Sequence, residues 1–177
     1  GTWGAAVDGQ LPVPASGWVD NGALAFAGNS YVSLRDRTPG DPNFSTIQYA
    51  VSVAAWVKAG TTNNDYATIA AKGNGTGPWR LMQFNNTNQA AFHLVGPTGQ
   101  TSVNGVTNIM DGQWHHIVGT YNGQTASLFV DGRLDTQVAA SSTTFILNAD
   151  PVWIASRSDN AAGRGWNGNI DDLRIYS

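Results

Sequence analysis

Trp114-His115-His116 is the first segment of this 177-residue chain whose residue types invite chemistry, because imidazole serves both as a general base and as a zinc ligand. Neighbouring side chains of an extended strand point to opposite faces, so His115 and His116 cannot chelate one ion together. The remaining histidine, His93, is distant in sequence. His116 shares a face with Trp114 and Val118, which predicts a half-buried, hydrogen-bonded structural residue. The acids are equally restrictive. All twelve are aspartates, and the chain has neither glutamate nor cysteine. Glycoside hydrolysis needs two carboxylates flanking the bond, one protonated near neutrality. Here, apart from Asp171-Asp172, the aspartates are isolated or lie in turns, as Asp111-Gly112 and Asp131-Gly132 do. No Gly-x-Ser-x-Gly elbow, His-Glu-x-x-His or phosphate loop occurs. The residues therefore point away from an enzyme.

Seven tryptophans offer a different chemistry, since an indole face packs equally well into a core or onto a sugar ring. Trp79 follows the glycine-rich segment 73–77, which predicts exposure near a binding surface. Trp153 alternates with apolar neighbours and suits either face. Arg80 adjoins Trp79, while His93 alternates with Phe92 and Leu94; if those two face the core, His93 faces the open side of its sheet. Arg80, Gln83 and His93, with the loop residues Asp65, Lys72, Arg157 and Arg164, are candidates for hydrogen bonding to sugar hydroxyls or a carboxylate. The segments 156–160 and 163–165 are expected at the rim.

These side chains must be positioned by strands. Gly, Asn, Thr and Ser make up over a third of the chain, which disfavours helices. Asn-Gly or Asp-Gly begins at positions 8, 21, 74, 104, 111, 122, 131 and 167, the short-range signal for a tight hairpin. Between them lie β-type runs at 23–26, 31–34, 48–58, 67–71, 79–84, 90–95, 114–121, 126–130, 134–138, 152–156 and 168–176. About eleven strands in one domain predict an all-β sandwich or barrel. The stretches 35–46, 60–65, 73–77, 96–108 and 156–165 read as loops. A formal net charge of −3 without a basic run excludes a nucleic-acid or anionic-membrane footprint. No apolar stretch approaches the roughly 20 residues of a spanning helix.

Five local sequences then combine in order: Ala23 through Leu34, Val53-Ala54-Ala55-Trp56-Val57-Lys58, Asp111-Gly112-Gln113-Trp114-His115-His116-Ile117-Val118, Leu128-Phe129-Val130-Asp131-Gly132-Arg133, and Trp166-Asn167-Gly168-Asn169-Ile170-Asp171-Asp172-Leu173-Arg174-Ile175-Tyr176. Over residues 22–177 this resembles the laminin-G-like, concanavalin A-type jelly roll of lectins and carbohydrate-binding modules. The resemblance implies a two-sheet antiparallel sandwich forming a single domain, 1–177, excised from a larger secreted protein. Trp56, Trp114 and Trp166 fall inside its motifs and are expected in the core. It also implies a structural Ca2+, held by Asp171 with Gly28 and Asn29 of the opening hairpin; Ala27 stands where an acid is usual. The alternative is that Asp171 or Asp172 pairs with Arg174 or caps a turn. Asp8 and Asp20 are further acids that spacing does not select.

The expected function is a non-catalytic module that binds a polysaccharide or oligosaccharide and targets a catalytic domain in the same parent chain to it. The hydrolases of this fold resemble one another in a Glu-containing strand motif that a chain without glutamate cannot carry. A laminin-G-like adhesion or protein-interaction domain is the alternative, and a structural spacer a third reading. Few Lys and no Glu beside abundant Asn, Thr and Trp suggest an exported bacterial protein.

Overall fold

A computed structural model describes residues 2–3, 22–34, 49–61, 65–146, 148–159 and 163–176. The described strands are β1 (Thr2–Trp3), β2 (Leu24–Ala27), β3 (Val32–Leu34), β4 (Val51–Ala59), β5 (Thr68–Lys72), β6 (Trp79–Gln83), β7 (Gln89–Gly96), β8 (Gly99–Asn108), β9 (Trp114–Tyr121), β10 (Thr125–Val130), β11 (Arg133–Ala139), β12 (Val152–Ile154) and β13 (Asn167–Tyr176). They form a seven-stranded sheet, ordered β1-β2-β13-β4-β9-β10-β11, and a six-stranded sheet, ordered β3-β12-β5-β6-β7-β8. Every pairing within the sheets is antiparallel, and no helix occurs among the described residues. The fold is the expected two-sheet jelly-roll sandwich.

Alternation decides what each strand contributes. In β6, Trp79 and Leu81 turn inward, and in β7 Ala90, Phe92 and Leu94 do so, all at most 2% exposed. Val53, Ala55 and Val57 of β4 and Ile117 of β9 close the core from the other sheet. Gly119 lets the two sheets approach closely: a Cβ there would lie 2.4 Å from the Phe92 ring. Gly119→Ala is therefore expected to destabilise the domain by about 1–3 kcal/mol through overpacking, read as a lowered denaturant midpoint at unchanged slope.

The dipeptide signals resolve unevenly. Asp131-Gly132, with φ of 51° and 76°, forms a two-residue turn, Val130 pairing directly with Arg133. Asn122-Gly123 opens a three-residue connection in which the Asn122 carboxamide oxygen accepts from the amides of Gln124 and Thr125. Asn104-Gly105 and Asn167-Gly168 instead lie inside β8 and β13. The pairs at 8 and 21 begin outside the described residues.

Segment 96–108 is a correction: most of it is strand β8. Its composition reads as loop because this edge strand buries only Thr101 and Val103, and apart from the exposed Val106 its remaining residues are polar or glycine. The tryptophans are a second correction. Trp166 is fully buried, but Trp56 and Trp114 are only half-buried, on the outer face of the seven-stranded sheet. There Trp56 packs against His116, ring centroids 5.1 Å apart. Both tryptophans alternate with inward-facing neighbours, so parity places them outward.

Candidate functional site

The registers of the six-stranded sheet align Ser33, Trp153, Ala71, Arg80, His93 and Ser102 in one transverse row on its outer face. The next inner row, Ile154, Ala70, Leu81, Phe92 and Val103, packs the core. Arg80 and His93 thus sit side by side because both strands alternate in phase.

His93 is 6% exposed and held on both ring nitrogens. Its Nδ1 lies 3.4 Å from an Arg80 guanidinium nitrogen and 3.3 Å from Gln100 Nε2; its Nε2 lies 3.4 Å from Asn104 Oδ1. A neutral ring accepting at Nδ1 and donating from Nε2 suits all three contacts. Burial, reinforced by the Arg80 charge, pushes its pKa down to about 4, so the ring is neutral at pH 7.

Arg80 is 7% exposed, and its Nε has no hydrogen-bond partner. Burial, followed by repulsion from Arg157, lowers its pKa to about 10; Asp159 opposes this and Arg164 adds to it. The cluster around it has a regular pairing. Arg157 Nε lies 2.7 Å from Asp159 Oδ1, and an Arg164 guanidinium nitrogen lies 3.1 Å from Asp65 Oδ2 and donates to the Asp65 carbonyl at 2.8 Å. The Arg164 guanidinium also covers the Tyr66 ring at 4.9 Å. Tyr66, at φ 55°, places its ring 6.4 Å from His93. Along the same face Tyr31 packs on Trp153 with centroids 4.4 Å apart. Arg80 and His93 form the floor of this face. Arg164, Asp65 and Asp159 stand at its more exposed edge.

Of the residues expected to bind ligand, the structure gathers Arg80, His93, Arg157, Arg164 and Asp65. Three others are elsewhere. Trp79 is 1% exposed in the core, because parity turns it away from Arg80. Gln83 also has the opposite parity, and its Nε2 donates to the Thr87 carbonyl at 2.6 Å inside the β6–β7 turn. Lys72 pairs laterally with Trp79 and is 1% exposed, its ammonium donating to the Asp150 carbonyl. Sequence reasoning missed Tyr66, Tyr31, Gln100, Asn104 and the pairing role of Asp159. Only the alternation of β8 would have exposed Gln100 and Asn104.

The expected calcium ligands do not converge. Ile170 pairs with Leu24, so Asp171 lies beyond that point, whereas the Gly28 amide bonds the Trp166 carbonyl at 3.0 Å. Gly28 is four residues from Leu24, roughly 13 Å along the strand. Oxygens sharing one calcium lie within about 5 Å of each other. Gly28 and Asn29 thus lie farther from Asp171 than that spacing. The Asp171 carboxylate accepts from the Asp172 amide at 2.7 Å, and Asp172 pairs with Arg174 at 2.8 Å. No group of three or more His, Cys, Asp or Glu suited to a metal occurs among the described residues. Asp8 and Asp20 lie outside them.

His116 is half-buried against Trp56 as expected, while the side-chain hydrogen bonds belong to His115. Its Nδ1 lies 2.8 Å from Asp131 Oδ2 and its Nε2 3.1 Å from Asp111 Oδ1. Burial lowers its pKa, but hydrogen bonds and charges from Asp131 and Asp111 outweigh this and raise it above 6.5. A raised folded-state value gives stability that is complete below the unfolded value of about 6.5 and is lost as pH rises through the folded one. His115→Gln should accordingly lower the melting temperature more at pH 5.5 than at pH 8.5; an equal loss at both contradicts the assignment.

A sequence profile described as the concanavalin A-like lectin/glucanases superfamily matches residues 26–177. The chain belongs to this superfamily. A search of curated proteins finds no match. Among solved structures, this superfamily member is similar to domains LG4-5 of the mouse laminin alpha1 chain, with TM-score 0.66 and 16% identity. It covers 86% of its own length and 40% of that laminin chain. It is also similar to the CBM40 of Ruminococcus gnavus IT-sialidase bound to alpha2,3 sialyllactose, with TM-score 0.70 and 15% identity over 87% of this chain and 89% of that one. A third is domain 4 of AbnA, a GH43 extracellular arabinanase from Geobacillus stearothermophilus, in complex with arabinotriose. There the TM-score is 0.65 at 16% identity, over 89% of this chain and 71% of the other. At these identities the likeness establishes the fold alone.

Proposed function

We propose that this domain is a non-catalytic carbohydrate-binding module that holds an oligosaccharide or polysaccharide segment on the outer face of its six-stranded sheet. The observation that carries the reading is the gathering of Arg80, His93, Tyr66, Arg157 and Arg164 on that face. Flat aromatic rings beside fixed donors suit sugar rings and their hydroxyls. The carbohydrate ligands named for the CBM40 and the AbnA domain support it. Asp65 and Asp159 are each engaged by an arginine, which argues against their serving as a hydrolytic pair. In this reading the parent is a secreted bacterial protein, and retention on the polymer raises the effective substrate concentration for a linked catalytic domain. The likeness to laminin domains favours a second reading, an adhesion or protein-interaction domain.

The test is calorimetry against sialyllactose, arabinotriose and a panel of plant and algal polysaccharides, with and without chelator. At least one glycan is expected to bind, indifferent to chelation. Tyr66→Ala should weaken it about tenfold, roughly 1.4 kcal/mol. Tyr176→Ala, on the opposite sheet, should not. No binding by any glycan, or full binding by Tyr66→Ala, contradicts the reading.

A further inference from the structure

Charge on the proposed binding face is not balanced. Arg157 and Arg164 each have an aspartate, at 2.7 and 3.1 Å, but among the described residues no carboxylate pairs with Arg80. Arg80 is 7% exposed, its Nε is without a partner, and a guanidinium nitrogen lies 3.4 Å from His93 Nδ1. The neutral His93 ring contributes no charge of either sign. Among the described residues, three guanidinium groups against two carboxylates leave this face net positive on a chain whose formal charge is −3. A desolvated cation whose counter-charge, Asp159, is already paired with Arg157 is unfavourable unless a ligand supplies another. A sugar hydroxyl would satisfy Nε and leave the charge. A carboxylate would answer both needs, since its two oxygens match the parallel N–H bonds of a guanidinium.

We infer that the glycan held here is acidic, with a carboxylate of a uronic or sialic acid residue seated against Arg80 and flanked by Arg157 and Arg164. The inference rests on the carbohydrate-binding reading. Tyr66, its ring beneath Arg164 and 6.4 Å from His93, then borders the sugar that bears the acid.

The experiment uses matched probes on the intact chain: α2,3-sialyllactose against lactose, and trigalacturonate and trimannuronate each against its methyl ester. A sulfated galactan oligosaccharide and an acidic peptide complete the set. At least one carboxylated probe should bind ten or more times more tightly than its neutral counterpart, and which pair does so identifies the acid's source. Raising salt from about 50 to 300 mM should erode that preference. Arg80→Gln should reduce the acid-to-neutral ratio at least fivefold. Arg80→Lys, which keeps the charge without the fork, should recover only part of it; both variants are checked for unchanged melting. Equal affinity for acidic and neutral probes overturns the inference while leaving the carbohydrate reading intact. Tighter binding of the sulfated probe overturns the carboxylate. Binding of no glycan, or of the acidic peptide alone, overturns the inference and the carbohydrate reading together.

Discussion

Trp79→Ala is expected to cost about 3–5 kcal/mol of folding stability, the usual range for truncating a large buried aromatic. Total stability of a small domain is about 5–15 kcal/mol, so the loss takes a large part of it. The indole is 1% exposed, pairs laterally with Leu94 on β7 and belongs to the central core cluster. Trp79→Phe leaves a smaller void and should retain more of the stability. Chemical denaturation measures both variants, and glycan affinity measured on the folded fraction should be unchanged. A Trp79→Ala protein that unfolds at the native midpoint but no longer binds glycan would show that the residue serves the ligand rather than the core.

Arg80→Met is expected to separate binding from folding in the opposite sense. The guanidinium is buried with an unpartnered Nε beside the charges of Arg157 and Arg164, an arrangement that costs stability. An apolar side chain of similar length removes that cost, with a gain on the order of 1 kcal/mol. Glycan affinity should nevertheless fall at least tenfold. Thermal melts and calorimetry of one preparation suffice. A clear drop in melting temperature would make Arg80 structural, and intact affinity would remove it from the site.

The architecture was legible because strand runs, turn dipeptides and motif order all pointed to one sandwich, and eleven expected runs coincide with strands. Strand β8 was not legible: an edge strand needs few apolar residues, so Gly99–Asn108 has the composition of a loop. The site was half legible. Phe92 and Leu94 placed His93 on the outer face correctly, since alternation is local information. The same rule applied across 79–83 separates Arg80 from Trp79 and Gln83, so grouping the three by proximity in sequence was the error. Tyr66 and Tyr31 carried no signal, because their roles arise from partners far along the chain, Arg164 and Trp153. The separation of Gly28 and Asp171, carried over together from the family resemblance, was not legible because only strand pairing reveals register.

The opposite sheet supplies the sharpest control. Its outer face carries a groove of about 380 Å³ lined by Ser52, Thr120, Ser127, Gln137 and Tyr176, among others. Titrating isotope-labelled protein with the tightest glycan of the panel, and following amide and arginine side-chain chemical shifts, compares the two faces directly. Shifts should concentrate on Tyr66, Arg80, His93, Asn104, Arg157 and Arg164, including the Arg80 Nε–H. Shifts confined to Ser52, Thr120, Ser127, Gln137 and Tyr176, with the Arg80 signals unmoved, would contradict the account.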